Sequence, residues 1–368
     1  MVQQSSFGNL TLISGQNGEG KTNFLEAIYA ALRGESFRPY SNPEDWIAKK
    51  HTSFRAEIAA VFMDRSLAQR RVFLKRSSGT AWENWIESKR VSKRTLRQQF
   101  PVVVFSPDDH QLLRGAPEFR RHYMDDVFSD VGPGYIEVQS RFEQALKARN
   151  SLLKMHQKQG TLAPSSELKI WNEVYCRESL DLWQFRQDLW PEFTTRFGKI
   201  VKRLLRGVDQ ASLVYETEWR HRGIEDFSFQ RMISELSDDF SLDLKRGYTA
   251  FGPHRDDFQI HLGSLEEFRG FASQGQARIL ALALKWIHAD WVHQARDEKP
   301  IMLLDDFSSE LDLDHRIQLL REIVGEFGQV FLTTTERSFV DSLDISDYTH
   351  LVFVDGEISY RNQKAIQS

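Results

Sequence analysis

The sequence predicts an α/β fold in which a phosphate-binding head is interrupted by an inserted helical arm. Three observations predict it. The string Gly15-Gln16-Asn17-Gly18-Glu19-Gly20-Lys21-Thr22 fits G-x-x-x-x-G-K-[ST] at every fixed position, between a strand-like run, Leu10 to Ser14, and a helix-like run, Phe24 to Leu32. Far downstream a short apolar run, Ile301 to Leu304, ends in two acids, Asp305 and Asp306. Between them, from about Pro133 to Arg206, apolar residues recur at helical steps.

At 368 residues the chain has room for two or three domains, each with its own core. A 40% hydrophobic share with 26 Phe and 9 Trp excludes wholesale disorder. Lys and Arg number 48 against 52 Asp and Glu, a net charge of -4, so affinity for nucleic acid has to come from a local patch. The single cysteine, Cys176, excludes an intramolecular disulfide and a paired-thiol zinc site. It reads as a small buried hydrophobe, and a reducing cytoplasm is expected. The segment Met1 to Ser6 lacks a basic start followed by an apolar stretch, and no run reaches 18 apolar residues. The expectation is a soluble cytoplasmic protein with no membrane contact.

In the first motif Gly15, Gly18 and Gly20 let the backbone turn its N–H groups around phosphate oxygens, at the positive end of the following helix. Lys21 is expected to reach the β- and γ-phosphates and the Thr22 hydroxyl to ligate Mg²⁺, with Gln16, Asn17, Glu19 and Asn23 completing the cradle. The competing reading is a glycine-rich turn that merely caps a helix. A carboxylate at the end of a core strand holds the metal in such sites and a second acid orients the attacking water, which assigns Asp305 to Mg²⁺ and Asp306 to the water. Taken alone, the pair reads first as an acidic turn after a core strand; coupled to the phosphate loop, the metal and water roles take precedence.

Ser273-Gln274-Gly275-Gln276 opens an apolar helix, Ile279 to Leu284. A plain N-cap with Ser273 as the hydroxyl explains these four residues as well as any catalytic role. Their position carries the information. A phosphate loop, a long insertion, S-x-G-Q, two acids about thirty residues later and then Ser309-Glu310-Leu311-Asp312 follow the order of an ABC-type ATPase head. That order makes Ser273, Gly275, Gln276 and Asp306 the candidate catalytic residues and ATP the expected ligand.

The chain resembles the RecF family, the ABC/SMC-like DNA repair ATPases of bacteria. The resemblance rests on Gly20 to Tyr29, Gly34-Glu35-Ser36-Phe37-Arg38, Phe105 to Asp109, Gly115 to Arg121, Arg149 to Lys154 and Phe251 to Asp256. It implies that Ser273 and Gly275 act in trans on nucleotide held by a second subunit. One chain carries one of each motif, so two composite sites need two chains, most simply a twofold dimer formed with ATP and released by hydrolysis. It further implies weak DNA-stimulated ATPase activity, roles in DNA repair, replication and the SOS response, and partners RecR, RecO and indirectly RecA. Three positions depart from the family pattern. Only nine residues precede Leu10, so the first sheet is expected to lack strands that flank the base; Gln274 stands where relatives carry a basic residue; and Thr335 takes the place of a switch histidine as a γ-phosphate sensor.

From Arg65 to Arg97 ten basic residues face two acidic ones, a local +8 on an acidic chain. Alternation on either side of Ser77-Ser78-Gly79 predicts antiparallel strands with a polar face. Arg76, Lys89, Arg90, Lys93, Arg94 and Arg97 are the candidate DNA contacts, acting by counterion release on single-stranded, double-stranded or gapped DNA. Charge alone does not separate this from a solvated basic face; the family resemblance does. Trp82 and Trp85 are placed on opposite faces of one strand, so at least one belongs to a core. Lys199, Lys202, Arg203 and Arg206 form a second basic stretch, read as solvated helix surface in preference to a second DNA contact. In Gly252-Pro253-His254-Arg255-Asp256-Asp257 the Gly-Pro pair makes a turn, and Arg255 is expected to pair with a carboxylate that positions the signature helix.

The expected partition is residues 1–107 and 207–368 for the head, with 108–206 as a helical arm too short for a long coiled coil. Function follows as an ATP-gated DNA clamp at gaps or single-strand/double-strand junctions, helping RecO and RecR to load RecA in recombinational repair and replication-fork maintenance. A transporter ATPase subunit and a head that binds ATP without turnover share the same motifs; DNA binding separates the first from the clamp and turnover the second.

Overall fold

A computed structural model describes residues 9–38, 55–63, 69–77, 81–160, 163–205, 208, 210–224, 227–263, 274–307, 313–336, 339, 342, 348–355 and 357–363. The chain forms two compact units that divide at His110/Gln111 and again at Ala283/Leu284.

The first unit begins with strand β1 (Leu10–Ser14), the phosphate loop and helix α1 (Lys21–Arg33). Strands β2 (Arg55–Met63), β3 (Gln69–Ser77), β4 (Glu83–Ile86) and β5 (Lys89–Val91) pair antiparallel in sequence order, and helix α2 (Lys93–Gln99) leads to strand β6 (Val102–Phe105). The Ser92 hydroxyl accepts from the Thr95 N–H and caps α2.

The second unit opens with α3 (Gln111–Arg114) and α4 (Pro117–Val131), followed by α5 (Tyr135–Gln159) and α6 (Ser166–Leu204). Arg141 of α5 meets Glu178 of α6 and Arg149 meets Asn172, so the pairing runs antiparallel. Strand β7 (Ala211–Glu216), helices α7 (Glu218–His221), α8 (Phe229–Asp238) and α9 (Phe240–Arg246), and strand β8 (Asp257–Leu262) follow. Helix α10 (Gln274–Arg296) begins in this unit and ends in the first. The arm was expected to end at Arg206, yet this unit continues to Ala283. The cause is pairing: β7 and β8 form a two-stranded antiparallel sheet, and Trp190 and Thr194 of α6 hydrogen-bond the Leu213 carbonyl of β7.

The chain returns to the first unit through β9 (Ile301–Leu304), α11 (Leu313–Glu326), β10 (Gln329–Thr334), β11 (Tyr348–Val354) and β12 (Glu357–Gln363). The six-stranded sheet has the order β12-β11-β1-β10-β9-β6, parallel except for the edge strand β12. Its apolar faces and α1 share one core with the four-stranded sheet: Ile13, Leu25, Leu32, Val72, Ile86, Leu96, Leu303, Phe331 and Leu351 are all buried there. Burial of such side chains on both sides is what holds a parallel sheet together.

The second unit has an aromatic core with three buried arginines inside it. Trp190 stacks on Tyr215 with ring centroids 4.9 Å apart, and Trp183 meets Trp219 edge-on at 5.1 Å. Arg120 forks onto Asp257 at 2.6 and 2.8 Å, Arg149 pairs with Asp243 at 2.8 Å, and Arg186 bridges Asp125 at 2.7 Å and Asp256 at 2.9 Å. The Gly252 to Asp257 block therefore works through its two aspartates, which tie the start of β8 to α4 and α6. Arg255 is exposed, so the pairing expected of it falls to its neighbour Asp256. His254 is held neutral: burial lowers it to about 4, while its Nε2 lies 2.9 Å from the Thr249 carbonyl. Cys176 is fully buried, and burial pushes its thiol up to about 12. No helix among the described residues is long and apolar enough to cross a membrane.

Candidate nucleotide-binding site

The phosphate loop runs from the end of β1 to the start of α1. Gly20 is the residue before the helix and sits at φ +96°, a left-handed conformation that strains any residue with a Cβ. At Gly15 the limit is space, since a Cβ would lie 2.7 Å from the Phe353 carbonyl of β11. The Gln16 N–H donates to Glu19 Oε2 at 2.6 Å, and the Lys21 ammonium donates to the carbonyls of Gly15 at 2.8 Å and Gln16 at 2.6 Å. Burial lowers the Lys21 pKa, against the raising pull of Glu19, Asp306 and Asp305.

Parallel pairing brings the distant acids to this loop. β10 lies between β1 and β9; β9 ends opposite Leu332 and β1 two residues further along, opposite Thr334, so Asp305, just past the tip of β9, reaches the first turn of α1. The Thr22 hydroxyl donates to Asp305 Oδ1 at 3.0 Å across 283 residues of sequence. The Thr333 hydroxyl donates to the same oxygen at 2.7 Å. Burial raises the Asp305 pKa, while those two hydroxyls oppose the rise and the charge of Asp306 adds to it. Asp306 follows with φ +47°, and its N–H donates to Thr333 Oγ1 at 2.8 Å.

Thr22 and Asp305 are hard oxygen donors at the mouth of the loop, the set that fits a small divalent cation bound through one carboxylate, one hydroxyl and ligand phosphates. Among the described residues no group of three His, Cys, Asp or Glu side chains forms a separate metal site.

Other candidate residues fall differently. Asn23 accepts from Arg38 at 2.7 Å, and Arg38 also pairs with Glu26, which accepts from Ser36; this brace along the first two turns of α1 has no local sequence signal, because its partners are 10 to 15 residues apart. Asn17 and Gly18 are exposed in the loop. Gly275 and Gln276 lie in the first turn of α10, with Gln276 exposed; Ser273 and the Ser309 to Asp312 string lie outside the described residues. Thr335 is exposed just past β10. That strand runs to Thr334, two residues beyond its last apolar residue Leu332, which is why Thr333 enters the site.

The six candidate DNA contacts do not share one face. Alternation along β3 and β4 places Arg76 on the side of buried Val72 and Leu74, and Lys89 opposite buried Ile86. Arg90 pairs across from Trp85 on the other side, together with Arg71, Phe73 and Lys75. Lys93, Arg94 and Arg97 belong to α2, where Lys93 pairs with Glu35 at 2.9 Å. Arg90 pairs with Glu83 at 3.1 Å. Trp82 lies just before β4 rather than in it, so its expected place on a strand face does not hold; of the expected turn Ser77-Ser78-Gly79, Ser77 ends β3 and residues 78 and 79 are outside the described set.

Known proteins match this architecture. The model of the RecF/RecN/SMC N-terminal domain covers residues 2–358. A DNA replication and repair protein RecF of Heliobacterium modesticaldum is 32% identical over 91% of this chain and 88% of its own length. The protein of the same description from Myxococcus xanthus is 30% identical over 98% of this chain and 93% of its own. Among solved structures, that of the recombination mediator protein RecF with ATP in the RecFOR pathway superposes with a TM-score of 0.84 at 24% identity, over 98% of this chain and 93% of that one. The Smc head domain of Pyrococcus furiosus shares the fold more loosely, with a TM-score of 0.54 at 16% identity over 98% of this chain and 91% of that one. An ABC-type ATPase fold, a phosphate loop braced by its distant acids and relatives spanning nearly the whole length agree: the chain belongs to the RecF family of the RecF/RecN/SMC class.

Proposed function

We propose that the chain is an ATP-dependent DNA-binding protein of recombinational repair and replication-fork maintenance. The observation that carries the reading is the convergence of Lys21, Thr22, Asp305 and Asp306 at one sheet end, joined by the Thr22 to Asp305 hydrogen bond. ATP is the ligand and Mg²⁺ the cation. The loop amides and the Lys21 ammonium receive the phosphates, Thr22 and Asp305 hold the cation, and Asp306 orients the attacking water. The bound cation supplies neutralisation of phosphate charge. Ser273, Gly275 and Gln276 complete the site from a second copy, so that ATP closes a homodimer on gapped or junction DNA and hydrolysis opens it. RecO, RecR and, through them, RecA are the partners; the RecFOR pathway named for the solved neighbour supports RecO and RecR.

Molar mass in solution, by light scattering with and without Mg-ATP and a gapped duplex, tests the proposal. A monomer that becomes a dimer with Mg-ATP, more so with DNA, is expected. A chain that binds nucleotide yet stays monomeric under both conditions overturns the composite site.

For DNA, the division of the cations between two sheet faces and α2 sharpens the expectation. Arg90, Lys93 and Arg94 are all exposed. Changing all three to Gln is expected to lower DNA affinity and to reduce the slope of log affinity against log salt by about 2 to 3, near 0.9 per phosphate contact on duplex DNA. An unchanged slope in a filter-binding titration removes these residues from the interface.

A further inference from the structure

The parallel register places one buried hydroxyl between the two acids. β10 pairs Leu332 with Leu304 on one side and Thr333 with Ile13 on the other, so Thr333 is the first residue to pass the end of β9, where Asp305 and Asp306 begin. Thr333 is almost wholly buried. A threonine hydroxyl has one proton and two lone pairs. The Asp306 N–H can only donate, and it occupies a lone pair at 2.8 Å. The proton is then committed to Asp305 Oδ1 at 2.7 Å, the oxygen that also receives the Thr22 hydroxyl. One side chain thus fixes a carboxylate on one residue and the backbone of the next. The bond also fixes Asp306 at φ +47°, a left-handed conformation that is sparsely populated for residues with a Cβ though more accessible to Asp than to most.

We propose that Thr333 is the positioning residue of the nucleotide site, setting Asp305 against Thr22 for the cation and aiming Asp306 for the water with a single hydroxyl. The inference rests on the reading of the site as one for Mg-ATP. Thr333 acts through the two acids, so its loss should weaken the cation's hold while leaving the loop's own grip on phosphate intact. Neither the apolar periodicity nor the motif spacing assigns it this task.

The test compares Thr333→Val, which keeps the shape and removes the hydroxyl, with Thr333→Ser, which keeps the hydroxyl, both in the full chain. Binding of a fluorescent ATP analogue is titrated against Mg²⁺, repeated in EDTA, and paired with thermal melting without nucleotide. Thr333→Val is expected to raise the Mg²⁺ concentration at half-maximal binding about tenfold, with binding in EDTA and the Thr333→Ser midpoint both within about twofold of the unaltered chain. A folded Thr333→Val protein with an unchanged Mg²⁺ midpoint overturns the proposal. So does a loss of melting temperature common to both variants with no movement of the midpoint, since that marks packing alone. Should Thr333→Val not fold, Thr333→Ala takes its place under the same expectations. An unaltered chain that binds no analogue at any Mg²⁺ concentration overturns the site reading itself, an outcome visible before any variant is compared.

Discussion

Lys21→Ala is expected to abolish nucleotide-dependent association while leaving the fold intact. The ammonium is the only side-chain cation within the phosphate-loop motif itself, and it is buried against the Gly15 and Gln16 carbonyls at 2.8 and 2.6 Å. It is therefore already aimed across the loop toward the position that phosphates take. A hydrogen bond to a charged group contributes about 1.5 to 3 kcal/mol, so losing two such contacts lowers affinity about 100-fold or more. The fold survives because the two carbonyls that lose a donor are within reach of solvent: Gln16 is exposed and Gly15 half-buried. Light scattering with Mg-ATP, alongside circular dichroism, measures both halves. A Lys21→Ala protein that still dimerises with Mg-ATP uncouples the phosphate loop from association, and one that unfolds assigns Lys21 a structural task instead.

That prediction was legible in the sequence because the strand, loop and helix around Lys21 are contiguous and each announces itself locally. Asp305 and Asp306 were legible for a similar reason, as a short apolar run that stops at two acids. Thr333 was not. Its contribution depends on β10 lying between β1 and β9, and strand order in a parallel sheet is set by crossovers that leave no mark in the neighbouring residues. The extent of β10 hid it as well, because Thr333 and Thr334 continue a strand whose apolar pattern ends at Leu332.

The arm shows the same division between local and distant information. The helical character of this stretch could be read from its spacing, which the two long helices α5 and α6 carry. The end of the second unit could not, since it depends on β7 finding β8 across some forty residues. The charged block at the start of β8 follows the same rule. From Gly252 to Asp257 the sequence offers a cation and two anions in a row, and only the fold decides that the aspartates turn inward to α4 and α6 while Arg255 turns out.

Those aspartates make Arg186→Met the substitution expected to destabilise the second unit most. Arg186 is buried in α6 and donates to four acceptors: Asp125 Oδ1 at 2.7 Å, Asp256 Oδ2 at 2.9 Å, the Pro253 carbonyl at 2.9 Å and the Tyr135 hydroxyl at 3.0 Å. Methionine fills comparable volume but strands the acids, and breaking a buried pair by removing one partner costs about 3 to 5 kcal/mol. Asp256 bears most of this. Burial already pushes its carboxyl up to about 7, opposed first by Arg186 and then by hydrogen bonds from Tyr215 and Trp183. With Arg186 gone the folded-state pKa rises further above that of the unfolded chain. The folded variant then keeps a proton that both the unaltered folded protein and the unfolded chain release, so its deficit grows as pH climbs through and beyond 7. Urea unfolding followed by tryptophan fluorescence reads it, because Trp183 donates to Asp256 at 2.8 Å. The loss should be larger at pH 9 than at pH 6, and Arg186→Met combined with Asp256→Asn should recover part of it at pH 9 by removing the stranded charge. A loss that is the same at both pH values, with no recovery in the double variant, places the cost in packing around residue 186 and not in the charge on Asp256.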